Sequence, residues 1–240
     1  MSHRNTRMRF SPLIRLLSLC LVAFHGTCSA QGDSADTASE WVNLFNGKDL
    51  EGWIQRGGKA NYRVENGCIV GSSVTNTGNS FLCTRRDYTN FVLELDFRVA
   101  AGMNSGVQVR SHCFTNATEL TWNGKSIRIP AGRVHGLQSE IDTSERAWTA
   151  GLYDEGRRGW LNDLKQNEPA RKAFKGGEWN HLRIQCDPHR VRTWLNGVAA
   201  ADLQDDLSPS GFIGLQVHSV GKNGKPGLEI SFKNVRVREL

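Results

Sequence analysis

The chain has 240 residues, with 30 Lys and Arg against 24 Asp and Glu, a formal net charge of +6, and 38% hydrophobic residues. The excess of positive charge belongs to the start of the chain, since residues 1–30 hold four Arg and no acidic residue. Without that segment the balance is 26 minus 24, or +2, and no stripe of Lys and Arg remains. Such a stripe is the electrostatic mark of nucleic-acid binding, so charge excludes nucleic acid as the expected partner.

The first thirty residues have the order of segments that is typical of a secretory signal peptide. Arg residues come first, residues 13–24 are largely apolar, and small residues precede an acidic stretch. The apolar part is shorter than the about 20 residues that a membrane-spanning helix needs. We predict a signal peptide at 1–30, a short disordered lead-in at 31–40 and one domain at 41–240. The mature protein is then exported, to the periplasm, the cell surface or the medium, without a transmembrane segment. A signal anchor and a lipoprotein are the alternatives.

Apolar residues in the remainder of the chain recur mostly with a period of two, which predicts β-strands. Asn-Gly pairs between the strands suit tight hairpins, because both residue types tolerate positive φ. Many short strands with regularly spaced turns indicate an all-β fold, a jelly-roll β-sandwich of two antiparallel sheets. The predicted strands include 62–65, 91–99, 181–186, 191–195 and 228–232, and the Asn-Gly pairs are at 46–47, 66–67, 123–124 and 196–197.

One short helix is predicted, within residues 159–174 and inside a loop. Trp160, Leu161 and Leu164 recur there at helical spacing. Pro169 should limit its length, because proline removes a backbone donor from a helix interior.

Four cysteines follow the predicted signal segment: Cys68, Cys83, Cys113 and Cys186. Export would permit disulfides, and four cysteines allow three pairings that spacing cannot rank. The spacings of 15, 30 and 73 residues fit no compact zinc motif. No stretch has the density of Asp and Asn of a dedicated calcium loop. We therefore expect no cofactor, with a structural calcium ion left open.

Three predicted strands alternate apolar residues with Gln, Arg, Glu, Asp and His. A solvated outer face also alternates, but it usually carries interchangeable Lys, Glu and Thr. The residue types found here offer short acceptors and forked donors that suit sugar hydroxyls. If the three strands are neighbours, one sheet presents a concave polar face for a ligand; a solvated face is the alternative. The residues are Gln108, Arg110 and His112 in the first strand, Gln138, Glu140 and Asp142 in the second, and Gln216 and His218 in the third.

Aromatic residues lie in the long segments between these strands, where binding residues tend to concentrate on a rigid scaffold. Sugar rings stack their C–H faces on aromatic planes, although ordinary packing would also explain such residues. Asp154 and Arg157 belong to a dense charge cluster that follows, which either caps one end of the groove or forms a solvated turn. The aromatic residues are Trp122, Trp148, Tyr153 and Trp160.

Motifs along the whole of residues 41–240 resemble those of the 3-keto-disaccharide hydrolase family, in the same order. That resemblance implies a concanavalin A-like lectin and glucanase sandwich, with the ligand on the concave sheet. The motifs are LFNGKDLEGW at 44–53, FVLELDFR at 91–98, NSGV at 104–107, GLQSEID at 136–142, GLYDE at 151–155, GEWN at 177–180, WLNG at 194–197, GFIGLQVH at 211–218 and FKNVRVR at 232–238.

The resemblance implies cleavage of glycosides that carry a ketone at sugar carbon 3. The ketone acidifies the proton on carbon 2, so a base removes it, an acid assists the leaving group at carbon 1, and water adds afterwards. His218 and Glu140 are the candidate proton-transfer pair with roles unassigned, and Asp142 would tune or orient them. Arg110 and Gln216 would steady the ketone and the developing oxyanion. The candidate substrate-binding residues are Gln108, Arg110, Gln138, Tyr153, Asp154, Arg157, Trp160 and Gln216.

Two alternatives use the same fold. Glu140, Asp142 and Glu145 resemble the Glu-x-Asp-x-x-Glu pattern of retaining β-glucanases, in which two carboxyl groups lie about 5–5.5 Å apart. A lectin-like module that binds carbohydrate without reacting is the other alternative, because a fold does not determine a function. The expected partner is in each case a small-molecule or oligosaccharide ligand, and the sequence does not indicate the oligomeric state.

Overall fold

The computed structural model describes residues 39–240, and β-strands dominate them. The strands are β1 (Val42–Asn43), β2 (Trp53–Gly57), β3 (Asn61–Glu65), β4 (Cys68–Ser72), β5 (Ser80–Thr84), β6 (Phe91–Val99), β7 (Asn104–Cys113), β8 (Thr118–Trp122), β9 (Lys125–Ile129), β10 (Val134–Asp142), β11 (Leu152–Glu155), β12 (Gly159–Asn162), β13 (Asn180–Asp187), β14 (Arg190–Leu195), β15 (Val198–Gln204), β16 (Phe212–Val217) and β17 (Glu229–Glu239). The helix is α1 (Glu168–Ala173).

The described strands form two large antiparallel sheets and one separate hairpin. Sheet A has the order β15-β14-β13-β6-β17-β4-β3, with β1 paired to β17, and sheet B has the order β12-β11-β10-β7-β16-β5-β2. Strands β8 and β9 pair only with each other. Most neighbours are distant in sequence, as in a sandwich with crossing connections. The prediction of an all-β sandwich of two antiparallel sheets is confirmed.

The core lies between the two sheets. Leu93, Leu95 and Phe97 of β6 and Val107 and Val109 of β7 belong to one buried cluster. Each such side chain stabilises the fold by roughly 1.5–3 kcal/mol when it leaves water. Because side chains alternate between the faces of a strand, burial of these residues turns their neighbours to the outside of the sandwich. The outer face of sheet B thereby becomes the place for polar side chains.

Three of the four Asn-Gly pairs close hairpins as predicted. The pairs at 66–67, 123–124 and 196–197 connect β3 to β4, β8 to β9 and β14 to β15, and both residues of each have positive φ. The pair at 46–47 differs. There the Asn46 side chain accepts hydrogen bonds from the backbone N–H groups of Lys48 and Asp49, which makes an Asx-type turn in a loop.

The predicted helix exists but is shorter, and the reason given for it was wrong. Trp160 and Leu161 lie in β12, where Trp160 pairs with Tyr153 of β11. Helix α1 begins only at Glu168, and Pro169 lies in its first turn, where the missing N–H has no intrahelical partner to lose. The Asn167 side chain caps that end by accepting from the Ala170 N–H at 3.2 Å.

A β-bulge in β7 changes which residues share a face. The register with β10 shifts between His135 and Leu137, and Arg110 has a φ of 46°. Beyond this extra residue the alternation moves by one, so Ser111 lies on the face of Gln108 and donates to its Oε1 at 2.6 Å. The prediction that Arg110 and His112 share the face of Gln108 is therefore wrong.

Arg110 instead points to the interior end of the sandwich. Its guanidinium donates to the backbone oxygens of Thr89 and Asp187 and to the Asn90 side chain. Burial lowers the pKa of this group, and its carbonyl partners replace water. Its role is to tie β7 to the ends of the strands of sheet A.

The predicted signal peptide at 1–30 and most of the lead-in lie outside the described residues and stay predictions. Within residues 39–240, the structure contains no helix that is long and apolar enough to span a membrane. The four cysteines of this part, Cys68, Cys83, Cys113 and Cys186, are all free thiols. The three disulfide pairings left open by the sequence are therefore not formed here.

The bulge predicts a strong effect of substituting Gly136, which lies opposite it with a φ of 142°. A Cβ there would lie 2.3 Å from Ser111 Oγ and 2.7 Å from Ser111 Cα. Gly136→Ala should lower the free energy of unfolding, measured in urea, by about 3 kcal/mol. Gly102→Ala is the control, since Gly102 has positive φ with nothing near its Cβ position, and we expect about 1 kcal/mol from backbone strain alone. Equal losses in the two variants would contradict the steric argument.

Candidate functional site

The outer face of sheet B carries a cavity of about 440 Å³, which we call the first cavity. Strands β12, β11, β10 and β7 lie side by side there, and loops next to β5, β10 and β16 close the rim. The strand order thus brings together residues from seven places along the chain. The lining residues are Gly78, Asn79, Asn104, Arg133, Gln138, Glu140, Arg146, Tyr153, Glu155, Trp160, His218 and Ser219.

Glu140 is one of two buried carboxyl groups of this cavity; like Glu155, it has only 5% of its surface exposed. Asn104 donates a side-chain hydrogen bond to Oε1, and Gln138 Nε2 donates to Oε2 at 2.7 Å. Gln138 in turn accepts from Gln108 Nε2 at 2.7 Å, and Gln108 accepts from Ser111. These side chains, which we call the amide chain, hold the carboxyl group in one orientation.

The protein environment raises the pKa of Glu140 above its usual range. Burial is the main cause, because it removes water from the charged form, and the negative charge of Asp142 adds to it. The hydrogen bonds from Asn104 and Gln138 and the attraction of His218 act in the opposite direction without cancelling the effect of burial. The result is a fixed carboxylate that is more basic than an exposed one.

Gly106 makes this arrangement possible. It pairs with Glu140 across β7 and β10, and with Gln216 across β7 and β16. A Cβ at Gly106 would lie 2.4 Å from Cδ of Gln138. Only glycine therefore leaves room for the Gln138 side chain that holds Glu140.

His218 lies on the rim of the cavity, immediately after β16, and is exposed. Its Nδ1 is 2.8 Å from the Ser219 carbonyl oxygen. Because a carbonyl oxygen only accepts hydrogen bonds, Nδ1 carries a proton and donates it to this oxygen. Ser219 N donates to Asn79 Oδ1 at 2.9 Å, which fixes the turn that carries His218. Nε2 is thus the ring nitrogen of His218 that the Ser219 contact leaves available to a ligand.

Tyr153 and Trp160 form an aromatic wall of the cavity. Their ring centroids are 5.4 Å apart at an interplanar angle of 71°, and Trp148 packs edge-on against Trp160 at 4.8 Å. The Arg146 guanidinium lies 4.7 Å from the Trp148 ring centroid and 5.2 Å from that of Trp160, within cation–π range. The wall therefore combines apolar ring surface with a fixed positive charge.

Asp142 acts on the loop after β10 and does not line the cavity. Its carboxylate accepts from Arg146 Nε at 2.8 Å and from the backbone N–H groups of Ser144 and Trp148. Burial alone would raise the pKa of Asp142, but these hydrogen bonds outweigh it and lower the pKa. An ionised Asp142 therefore positions Arg146, and the structure favours this indirect role over direct proton transfer.

Asp154 and Arg157 lie on the other face of sheet B. Asp154 pairs with Leu137 across β10 and β11, so its side chain points inward. It forms ion pairs with Arg157, at 2.6 Å, and with Arg158, and Arg157 also donates to Ser208. These groups stabilise the interior end of the sandwich. As with Arg110, the structure places them away from the cavity that Gln138, Glu140, Tyr153, Trp160 and His218 share.

The other predicted residues are Gln108 and Gln216. Their side chains lie on the face of sheet B that carries the first cavity, and neighbouring side chains cover them fully. Gln108 reaches Glu140 only through the amide chain. The side-chain amide of Gln216 has no hydrogen-bond partner among residues 39–240.

The residues that sequence reasoning missed are on the rim. Arg133 donates to Glu155 Oε1 at 2.8 Å, and Asn79 Nδ2 lies 3.5 Å from the same oxygen. The alternation of side chains along β11 could have predicted that Glu155 lines the cavity. Tyr153 and Glu155 must share one face of the strand, and Asp154 must lie on the other. Arg146 and Asn79 have no such signal, because loops bring them to the site.

No group of three or more His, Cys, Asp or Glu side chains within residues 39–240 is arranged to hold a metal ion. The expectation that the protein needs no cofactor stays a prediction.

The amide chain predicts how the pKa of Glu140 responds to substitution. Gln138→Met removes the donor to Oε2, so the pKa of Glu140 should rise further, as measured by NMR titration of ¹³C-labelled carboxyl groups. Gln185→Met is the matched control, because Gln185 Nε2 donates to Asp187 Oδ1 at 2.9 Å with the same spacing in sequence. This control should raise the pKa of Asp187 and leave that of Glu140 unchanged. An unchanged pKa of Glu140 in Gln138→Met would contradict the assigned hydrogen bond.

Comparisons with solved structures find sandwiches of the same fold. A Bacillus subtilis protein with a galectin-like fold has a TM-score of 0.55 at 13% identity, over 83% of this chain and 94% of that one. The carbohydrate-binding module CBM66 of Bacillus subtilis has a TM-score of 0.53 at 16% identity, over 78% and 96%. At these identities the likeness concerns the fold alone, and it agrees with the predicted jelly roll.

The amino-acid sequence has a more specific likeness. A protein from Bacteroides thetaiotaomicron named 3-keto-disaccharide hydrolase is 24% identical over 254 residues, which cover 85% of this chain and 79% of that protein. The 3-keto-alpha-glucoside-1,2-lyase-like domain matches residues 40–238, nearly all of the described part. The chain therefore belongs to the 3-keto-alpha-glucoside-1,2-lyase-like domain family, as the motifs predicted.

Proposed function

We propose that the protein is an enzyme that cleaves the glycosidic bond of 3-keto-glycosides by elimination followed by addition of water. The observation that carries the proposal is Glu140, a buried carboxyl with a raised pKa, held by two amide donors in a polar cavity with His218 on its rim. The family and the name of the Bacteroides thetaiotaomicron relative support the same substrate class.

The ketone determines the chemistry. A base takes the proton from carbon 2, and the electrons of that C–H bond form the enolate of the carbon 3 ketone. The enolate then collapses: the ketone re-forms, a double bond forms between carbons 1 and 2, and the bond from carbon 1 to the leaving oxygen breaks. An acid gives its proton to that oxygen. Water finally adds its hydroxyl to carbon 1 and a proton to carbon 2, so the net reaction is hydrolysis.

We assign Glu140 as the base and His218 as the acid. Both oxygens of Glu140 accept amide hydrogen bonds, which suits the ionised carboxylate, and the raised pKa strengthens it as a base. His218, when protonated, presents Nε2–H at the rim beside Asn79, where a leaving group has access to solvent. The two groups thus approach a bound sugar from the floor and from the rim.

Arg146 takes the oxyanion role that the sequence had suggested for Arg110. Its guanidinium lines the cavity. Its contacts with Asp142, Trp148 and Trp160 fix its position. A positive charge held in place before the reaction stabilises a developing enolate without the cost of reorganisation. Asp142 is then a positioning residue that acts through Arg146.

The β-glucanase pattern of Glu140 with Glu145 is not assembled in the cavity, whose second carboxyl group is Glu155, paired with Arg133. Strand β10 ends at Asp142, so Glu145 lies in the following loop, where it is exposed and does not line the cavity. Asp142 is occupied by Arg146. The geometry therefore favours 3-keto-glycosides over ordinary glucans, and binding without reaction is an outcome of the test below.

The test is incubation of the mature protein with a 3-keto-glucoside and with its unoxidised parent in heavy water. We expect cleavage of the ketone alone, with deuterium at carbon 2 of the product because water supplies that proton. The acid side of the pH profile of kcat/KM should fall at a pH above the ordinary range of a glutamate, as the proton returns to the base. Cleavage of the parent, or of neither compound, would overturn the proposal.

Variants separate the catalytic residues from the positioning one. Glu140→Gln and His218→Ala should each lower kcat by about 100-fold or more, and His218→Ala should change the free energy of unfolding by less than about 1 kcal/mol because His218 is exposed. Asp142→Asn should lower the free energy of unfolding by more than about 1 kcal/mol, because it breaks the hydrogen bonds of the loop. Full activity of Glu140→Gln would remove Glu140 as the base.

We also propose that the reaction takes place outside the cytoplasm, on the signal-peptide pattern of residues 1–30. N-terminal sequencing of the protein isolated from its own cells should find a start near residue 31. A mature chain that begins at Met1 would contradict export by this route.

A further inference from the structure

Tyr153 is held at one place in the wall of the first cavity. It lies in β11, where its backbone pairs with Gln138 on one side and with Trp160 on the other. The Trp160 ring packs against the Tyr153 ring at 5.4 Å, and Trp148 in turn packs against Trp160 at 4.8 Å. Neighbouring strands and rings therefore fix the position of the phenol before any ligand binds.

The hydroxyl group of Tyr153 has no hydrogen-bond partner within residues 39–240. Tyr62 shows the contrasting arrangement, since its hydroxyl lies 2.9 Å from the Ser80 carbonyl oxygen and 2.8 Å from that of Leu215. A tyrosine hydroxyl that is buried for packing usually finds such a partner. That of Tyr153 belongs to a partly exposed side chain at the cavity, so it can donate to a ligand.

Two carboxyl groups of the cavity help to keep the Tyr153 hydroxyl protonated. Burial is the main cause that raises the pKa of Tyr153, the negative charges of Glu155 and Glu140 add to it, and Arg133 acts in the opposite direction. A phenol that keeps its proton can donate a hydrogen bond to an oxygen that gains negative charge, whereas an ionised carboxylate can only accept one. Tyr153 is therefore a donor beside two acceptors.

Strand geometry places this donor at a suitable distance from the proposed base. Glu140 N donates to the Gly151 carbonyl oxygen at 2.9 Å, so Gly151 lies opposite Glu140. Tyr153 follows two residues later, about 7 Å farther along the neighbouring strand. Both side chains line the cavity. A sugar between them can present carbon 2 to Glu140 and the carbon 3 oxygen to Tyr153, because these are neighbouring ring positions.

Arg146 and Tyr153 both pack against Trp160. The Arg146 guanidinium lies 5.2 Å from the Trp160 ring centroid, and the Tyr153 ring centroid lies 5.4 Å from it. The guanidinium supplies positive charge, and the phenol supplies one directed hydrogen bond. Groups that are fixed in place before the reaction stabilise a developing oxyanion without the cost of reorganisation. Arg146 and Tyr153 thus complement each other at one wall of the cavity.

We propose that Tyr153 is a catalytic residue that donates a hydrogen bond to the carbon 3 oxygen as the enolate forms. The inference rests on the proposed function for the reacting ketone. As Glu140 takes the proton from carbon 2, the electrons of that C–H bond form the enolate, whose negative charge lies on the carbon 3 oxygen. The charge leaves that oxygen when the bond to the leaving group breaks. The phenol keeps its own proton throughout, so its role is separate from that of the acid.

The test measures Tyr153→Phe with methyl 3-keto-glucoside and with 4-nitrophenyl 3-keto-glucoside. Loss of one donor to the enolate should lower kcat by about 100-fold, with a smaller change in KM. The loss should be equal for the two substrates, because they share the ketone and differ only in the leaving group. Tyr88→Phe is the matched control, since Tyr88 is buried with its ring 5.8 Å from that of Phe91 and does not line the cavity. It should keep both rates.

An unchanged kcat in Tyr153→Phe would overturn the inference. A loss confined to the methyl glycoside would also overturn it, because 4-nitrophenolate leaves without an acid and Tyr153 would then serve the leaving oxygen. If the unsubstituted protein cleaves neither compound, the proposed function has failed, and infrared spectroscopy of the bound methyl glycoside, labelled with ¹³C at carbon 3, decides the inference. The carbonyl stretching frequency should be lower in the unsubstituted protein than in Tyr153→Phe, because a hydrogen bond weakens the C=O bond. Equal frequencies would refute the hydrogen bond.

Discussion

The buried carboxyl group of Glu140 is the constraint around which the outer face of sheet B is organised. Removing a carboxylate from water costs free energy, so the structure must supply hydrogen bonds in its place. Asn104 and Gln138 supply them, and Gln138 is held by the rest of the amide chain. The amide chain needs Gln108, Gln138 and Glu140 on the paired strands β7 and β10. It also needs a residue without a side chain at Gly106. The site therefore depends on strand pairing more than on any loop.

The bulge at Arg110 divides the polar residues of sheet B into two groups with different roles. Before it, Gln108 belongs to the amide chain on the outer face. At the bulge the Arg110 side chain turns to the interior end of the sandwich, where it donates to the carbonyl oxygens of Thr89 and Asp187, whereas Ser111 after it returns to the face of Gln108. Polar side chains thus hold Glu140 on one face and stabilise the interior end of the sandwich on the other.

The first cavity is bounded by groups of different chemistry. Tyr153 and Trp160 bound one side of the first cavity. Arg133 and Glu155 lie between it and a neighbouring cavity of about 430 Å³. Arg133 is half exposed but Glu155 is buried, so displacing Arg133 would leave a buried carboxylate without its ion-pair partner.

The sequence by itself determined the all-β class, three of the four predicted hairpins, the family and the polar positions Gln138, Glu140 and His218. Period-two alternation and Asn-Gly turns depend only on residues that are close in the sequence. The sequence alone is therefore enough to recognise them. The tertiary structure alone decided that Arg110 points inward, because one extra residue in a bulge reverses every later face. It also brought Asn79 and Arg146 to the cavity. Loops carry them there, and the position of a loop depends on strands that are distant in the sequence.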